Sequence, residues 1–562
     1  MERIEMNRRD FLKFTGVCGL GLFGGCVIDR TARGFSESKP NLLFIICDDL
    51  NDSVEKMGGH PQAKTPNIDR LMAMGTRFTN AHSNDPLCGP SRASLLSGLY
   101  PHSSGHFGYN QNRRAAWRLN DAIKASTKLP QYFVQNGYRV MATGKISHPN
   151  ALDRDLWRNA DGEIIYPIAL DYGPWPYDGK AELPQANPNL SSPLDERMWD
   201  GFGPLSNKPV FTDDEGNKFT GGWRNYTGRK SDEKLKKYFE SIDQPVVFPE
   251  DVSPFHYESD DDRDLMHDER VANWAVEQFA KDRDKPFFMS LGFGKPHSPL
   301  YAPKKYFDMF DADNIQLPPY LPGDLEDCAK VLAEKTSPDD WGRDVFDAVQ
   351  QAGGVKVWKQ WLHAYLACVA FVDEQIGKVI DGLEAGGLLD NTVIVFCSDN
   401  GYHIGEKDHI FKNTLWEEAT KVPLVIAAPN FKGSQVCKHP VSLIDLYPTM
   451  TDLCGLPQNK ENDGYSLREF LNDPQTDDWT GPEGALSVVA SDDELGFYEP
   501  GKPDRQHYSL RTRRWRYILC NDGSEELYDH STDANEWHNL AYDGKYTDIK
   551  TDLKKKLLAM RQ

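Results

Sequence analysis

The 562-residue chain is 39% hydrophobic and 11% aromatic, with a mean hydropathy of -0.61 and a formal charge of -21. That balance belongs to a folded globular protein, and no apolar run reaches the length of a membrane-spanning helix. The negative charge argues against nucleic acid as the main partner but leaves room for a small anion in a locally cationic pocket, and the length exceeds one core, so a large domain over 36–456 and a smaller one over 457–562 are expected.

Residues 1–35 read as an export segment outside the fold. Asn7-Arg8-Arg9-Asp10-Phe11-Leu12-Lys13, followed by a glycine-rich apolar run over 14–25, is spelled like a twin-arginine signal. Cys26 then stands either as the lipidated cysteine of a bacterial lipoprotein or beside a plain cleavage point. Both readings place the mature protein in the periplasm, anchored at the membrane or outside the cell.

The continuous apolar run over 41–47 predicts a strand buried on both faces of a parallel sheet, ending at Asp48-Asp49. A helix is predicted over 65–75, from Thr65-Pro66 to Gly75, and a strand over 76–80. Next comes Cys88-Gly89-Pro90-Ser91-Arg92, continued by Ala93-Ser94-Leu95-Leu96-Ser97-Gly98. Taken alone, that stretch is a loop cysteine before a helix, with Ser91 as a cap.

A strand over 138–143 leads to Gly144-Lys145-Ile146-Ser147-His148. Residues 150–262 lose periodicity and are rich in Pro, Asp, Trp and Tyr, which predicts ordered loops shaping a pocket. Helical spacing returns over 263–281, and a core strand over 286–292 delivers Lys295-Pro296-His297. The apolar stripe from Trp361 and Tyr365 to Leu383 predicts a long helix devoted to core packing. A second buried strand over 392–397 ends in Ser398-Asp399-Asn400-Gly401, and Lys412-Asn413-Thr414-Leu415-Trp416 precedes a strand over 422–427. Short strands over 508–512, 514–520 and 526–529 follow. Cys47 and Cys397 read as buried small hydrophobes, and Cys437 with Cys454 is a pairing that the sequence leaves open.

The Cys88-x-Pro90-Ser91-Arg92 stretch resembles the signature of the type I sulfatases, where the cysteine is oxidised to formylglycine. The Gly144-Lys145 to His148 spacing and Lys295-Pro296-His297 resemble the iduronate-2-sulfatase branch, although Asn400 departs from the His expected there. The resemblance implies an alkaline-phosphatase-like α/β fold, with a central mostly parallel sheet flanked by helices and a small C-terminal domain of antiparallel sheet and helix. It also implies a sulfuric ester hydrolase acting on a sulfated carbohydrate, with Ca²⁺ held by Asp48, Asp49, Cys88 as formylglycine, Asp399 and Asn400, a set of hard oxygen donors.

Arg92, Lys145 and Lys412 are implied as the cations for sulfate. Asp399 is the implied proton acceptor from the aldehyde hydrate, His297 a substrate contact and the acid for the departing alcohol, and His148 the base that restores the aldehyde. A formylglycine-generating enzyme or a radical SAM maturase would act on Cys88 before export. Two alternatives stand beside this reading: a phosphonate or phosphate monoester hydrolase with the same nucleophile, and an inactive sulfoglycan-binding lipoprotein.

Overall fold

The apolar run after Pro40 becomes strand β1 (Asn41–Asp48), buried along its whole length. The computed structural model describes residues 39–108, 120–148, 154–168, 173–177, 201–212, 215–225, 254–336, 340–491 and 500–562. The expected export segment, Cys26 included, lies outside them. Chain order continues with α1 (Pro66–Met74), β2 (Thr76–His82), α2 (Cys88–Ser97), β3 (Arg139–Gly144), α3 (His267–Phe279) and β4 (Phe287–Pro296). Then come α4 (Val355–Ala385), β5 (Thr392–Ser398), β6 (Lys421–Ala427), β7 (Gln435–Cys437) and β8 (Val441–Ser442). The C-terminal part carries β9 (Ala485–Val489), β10 (His507–Arg511), β11 (Trp515–Leu519), β12 (Glu525–Asp529) and α5 (Thr547–Met560).

The main sheet runs β7-β2-β6-β5-β1-β4-β3, with β8 also on β2 and only β6 antiparallel to its neighbours. Side chains alternate along β1 as the two-residue period requires. Leu43, Ile45 and Cys47 join a core with Val271 of α3 and Trp361, Leu362 and Tyr365 of α4. Leu42, Phe44 and Ile46 join a second core on the opposite face with Leu95 of α2, Phe133 and Tyr447. Two such cores explain why β1, β4 and β5 read as unbroken apolar runs.

Within 150–262, the described parts form short strands such as Trp175–Tyr177 paired with Gly222–Arg224. Cys437 and Cys454 are not bridged: both are free thiols buried in the second core. The four-stranded antiparallel sheet β9-β10-β11-β12 packs Leu486, Tyr508, Tyr517 and Leu527 against Leu553 and Leu557 of α5.

The other face of this small sheet meets Leu415 and Trp416, just after Lys412. Charge ties the same join, since Arg516 reaches Glu417 and Glu536 while Arg511 Nε donates to Glu417 at 3.0 Å. The burial that would push both carboxyls up is outweighed by these cations, so Glu417 is held well below the usual carboxylate range and Glu536 is also lowered. Among the described residues, no helix is long and apolar enough to cross a membrane.

Candidate active site

Four neighbouring parallel strands, β5-β1-β4-β3, end together, and their carboxyl ends carry the chemistry. Register does the gathering. Cys47 of β1 pairs with Ser398 of β5, which sets Asp48-Asp49 beside Asp399-Asn400. Gly292 of β4 pairs with Gly144 of β3, and the amide of Lys145 then donates to Gly292 O at 2.9 Å. No other residue fits that crossing. A Cβ on Gly144, whose φ is 77°, would stand 2.0 Å from Gly292 O, and one on Gly292 would stand 2.0 Å from Lys145 O.

Cys88 is the first residue of α2, so it is fully buried at the positive end of a ten-residue helix. Ser91 does not cap this helix. Its hydroxyl donates to the carbonyl of Asp399 at 2.6 Å, and Ser83 Oγ donates to the same oxygen at 2.8 Å. Arg92 spans the site from Asp399 Oδ2, where Nε donates at 2.6 Å, to the carbonyls of Cys47 and Lys145.

Each carboxylate has its own cation: Asp48 holds Lys145, Asp49 holds Lys412, and Asp399 holds Arg92. Around the cysteine, His148 Nδ1 lies 3.7 Å and Lys412 Nζ 3.9 Å from Cys88 Sγ. His297 Nε2 is 3.9 Å from Asp49 Oδ2. Every residue that the sequence implicates in the site is therefore brought into this one cluster.

Burial and charge compete here, with different winners. Burial raises the Asp399 carboxyl, against the pull of Arg92. Burial would also raise Asp49, but Lys412 and His297 reverse the sign and hold it below its usual range. Burial depresses His297 well below the ordinary imidazole range despite Asp49 beside it.

The site suits a hard divalent cation. Asp48 Oδ1 and Asn400 Oδ1 are buried with no hydrogen-bond partner among the described residues. A buried acceptor without a hydrogen bond costs about 1–3 kcal/mol, which for Asp48 Oδ1 the Arg92 guanidinium, 3.7 Å away, offsets in part. One oxygen of Asp48, one of Asp399 and Cys88 Sγ all lie within 4.8 Å of one another. Carboxylate and amide oxygens are the donors that Ca²⁺-type ions take. Because three carboxylates face three cations, an added divalent ion leaves the set with surplus positive charge for an anion.

One contributor is hidden in the α4 stripe, which is more than core packing. Tyr365 OH donates to Asp49 O at 2.8 Å and accepts from Asn51 N at 3.0 Å, while its ring stacks on Tyr402 with centroids 5.0 Å apart. It thereby holds Asp49 in the left-handed conformation, at φ 65°. The available signal was chemical: a buried tyrosine needs a partner for its hydroxyl. Tyr365→Phe leaves two buried backbone groups unpaired, so calorimetry should show a loss of about 1–3 kcal/mol together with weaker metal affinity. Unchanged stability and unchanged metal affinity would remove Tyr365 from the site.

A cysteine at a helix start, framed by hard oxygen donors and buried cations at the ends of parallel strands, defines a hydrolase of anionic esters. The family model for sulfatases matches residues 40–151 and 182–456, and that for the N-sulphoglucosamine sulphohydrolase C-terminal region matches 405–562. The chain belongs to the sulfatase family and is a sulfuric ester hydrolase.

It is 33% identical over 544 residues to a sulfatase of Formosa agariphila, covering 96% of this chain and 90% of that protein. Mouse iduronate 2-sulfatase is 26% identical over 486 residues, covering 78% and 73%. A protein solved in complex with its substrate D-glucosamine-2-N,6-O-disulfate superimposes with a TM-score of 0.61 at 22% identity, covering 93% of this chain and 98% of that one. The fold is alkaline-phosphatase-like, with a mostly parallel central sheet and a C-terminal antiparallel sheet. Sulfatases as a family use formylglycine and a divalent metal.

Proposed function

We propose that the protein removes sulfate from a carbohydrate, using Ca²⁺ and a formylglycine made from Cys88. The observation that carries this reading is the set of three carboxylate–cation pairs around Cys88, which a divalent ion converts into an anion site. Asp48, Asp49, Asp399 and Asn400 would hold the ion, and its chemistry would be electrostatic stabilisation of the sulfuryl oxygens beside an aldehyde-hydrate nucleophile. Relatives named for iduronate 2-sulfate and glucosamine disulfate support a sugar as the alcohol part.

The chain's own residues then divide the work. Lys145, Lys412 and Arg92 supply the positive charge for the sulfate group. Asp399, raised by burial, accepts a proton at a carboxylate oxygen on the Cys88 side of the site. His148, 3.7 Å from Cys88 Sγ, is the second proton acceptor, at Nδ1.

His297 donates from Nε2 to the departing alcohol. Its Nδ1–H is fixed on Ser298 O, which leaves Nε2 to face the site. Burial lowers the proton affinity of the ring, and the negative charge of an arriving sulfate ester raises it.

Maturation of Cys88 by a formylglycine-generating or radical SAM enzyme would precede twin-arginine export of the folded protein. Retention at the membrane would follow if Cys26 is lipidated. The test incubates matured protein with a panel of defined sulfated oligosaccharides and with an aryl phosphonate. Loss of sulfate from at least one saccharide, read by mass spectrometry, is the expected result. Faster turnover of the phosphonate than of any sulfate ester would favour the phosphonate hydrolase, and no turnover of either would favour a binding lipoprotein.

A further inference from the structure

The turn that carries His297 is held from behind by one carboxylate. Strand β4 pairs with β1 through Ile46↔Gly292 and again through Asp48↔Pro296, so residues 293–295 bulge against Cys47 alone. A bulge takes amides out of the ladder, and those amides need other acceptors. Asp268, the second residue of α3 and 2% exposed, provides them. Its Oδ1 accepts the amide of Gly294 at 2.7 Å and its Oδ2 that of Lys295 at 2.9 Å.

Two further groups close the clamp. His267 Nδ1–H donates to Asp268 Oδ1 at 2.8 Å. The Lys295 ammonium donates to the carbonyls of Pro299 and, at 3.2 Å, His297. The amide of His297 returns to Gly294 O at 3.1 Å.

Every bond in this set fixes the path of residues 294–299, and the residue so placed is His297, with Nε2 3.9 Å from Asp49. The opposite nitrogen of His267, Nε2, has no hydrogen-bond partner among the described residues, and His267 lines a small cavity together with Lys295 and His297. The clamp's firm anchors are therefore the turn amides.

We infer that Asp268, with Lys295, is a positioning residue for His297: it sets the bulged turn through which β4 hands the histidine to the site, and it acts on the reaction through that histidine. The inference rests on the reading of His297 as the proton donor to the leaving alcohol. Displacing a reacting group by about 1 Å costs on the order of 10²-fold in rate. General acid catalysis contributes about 10²- to 10⁴-fold.

The experiment is a double-mutant cycle of Asp268→Asn with His297→Ala, with kcat/KM measured on phenyl sulfate and 4-nitrophenyl sulfate and folding followed by thermal melt. Asp268→Asn should lose about 10- to 100-fold on phenyl sulfate and less on the nitrophenyl ester, because nitrophenolate leaves almost unaided. In the His297→Ala background the same change should cost no more than about 2- to 3-fold.

Losses that multiply in the double variant, or a fully active Asp268→Asn protein, overturn the inference. If Asp268→Asn does not fold, Lys295→Gln enters the same cycle under the same criteria. The two readings fail separately: equal loss of His297→Ala on both esters removes its role as acid, whereas additivity removes the clamp.

Discussion

Cys88→Ala should abolish sulfate ester hydrolysis, by a factor on the order of 10⁴ to 10⁶, the scale of loss when a covalent nucleophile is removed. The same variant should fold normally. Alanine keeps the backbone of Cys88 and removes a single sulfur atom, whose neighbours include His148 Nδ1 at 3.7 Å and Lys412 Nζ at 3.9 Å, so the loss to the fold is small beside the loss of the nucleophile. Peptide mass spectrometry of active wild-type protein should find residue 88 with sulfur replaced by oxygen and two hydrogens lost. Full activity from a preparation holding only unmodified cysteine would falsify the assignment of the nucleophile. Serine that stays unoxidised at this position should fail nearly as badly as alanine, because a single hydroxyl lacks the second oxygen through which an aldehyde hydrate expels sulfate.

Asp49→Ala should remove activity and also destabilise the fold, for reasons that the ion pairs make specific. Lys412 then sits buried without its carboxylate, and Asn400 Nδ2 keeps Gly401 O but loses Asp49 Oδ1, the acceptor that ties it to the end of β1. Breaking one side of a buried pair typically costs about 3–5 kcal/mol, visible as a large fall in melting temperature. Adding Lys412→Met should recover much of that stability and none of the activity. Chelation of the wild type should behave differently. Because each carboxylate already has a cation, stripping the metal abolishes turnover while stability falls only by the binding free energy lost. If verified metal removal left turnover intact, the oxygen set of Asp48, Asp49, Asp399 and Asn400 would not be a catalytic metal site.

Much of this molecule is written locally. The apolar runs over 41–47, 286–292 and 392–397 can satisfy their burial only in the middle of a sheet, and they became β1, β4 and β5. Residues just beyond such strands stand at one edge of a parallel sheet, which made Asp48, Asp49, Asp399 and Asn400 stand out, whereas Lys145 and His297 were marked by the resemblance to the sulfatase pattern and not by their position. Other elements were not legible. β9 is short and α5 is polar over much of its surface, with only Leu553 and Leu557 buried, so neither carries a strong period.

Which cation answers which carboxylate was decided by tertiary structure alone, since Lys145–Asp48, Lys412–Asp49 and Arg92–Asp399 join residues 97, 363 and 307 positions apart. Local periodicity reports which face a side chain presents, and it is silent on the partner waiting there. The strand order β5-β1-β4-β3 brings Lys145 to Asp48, while α2 brings Arg92 to Asp399 and the segment just after Phe411 brings Lys412 to Asp49. For the same reason Tyr365 looked like one more core residue of a helix and Asp268 like an ordinary acidic start to one. Each became part of the site only when the sheet brought a backbone group needing a hydrogen bond, Asp49 O in one case and the amides of Gly294 and Lys295 in the other, into reach of its polar end.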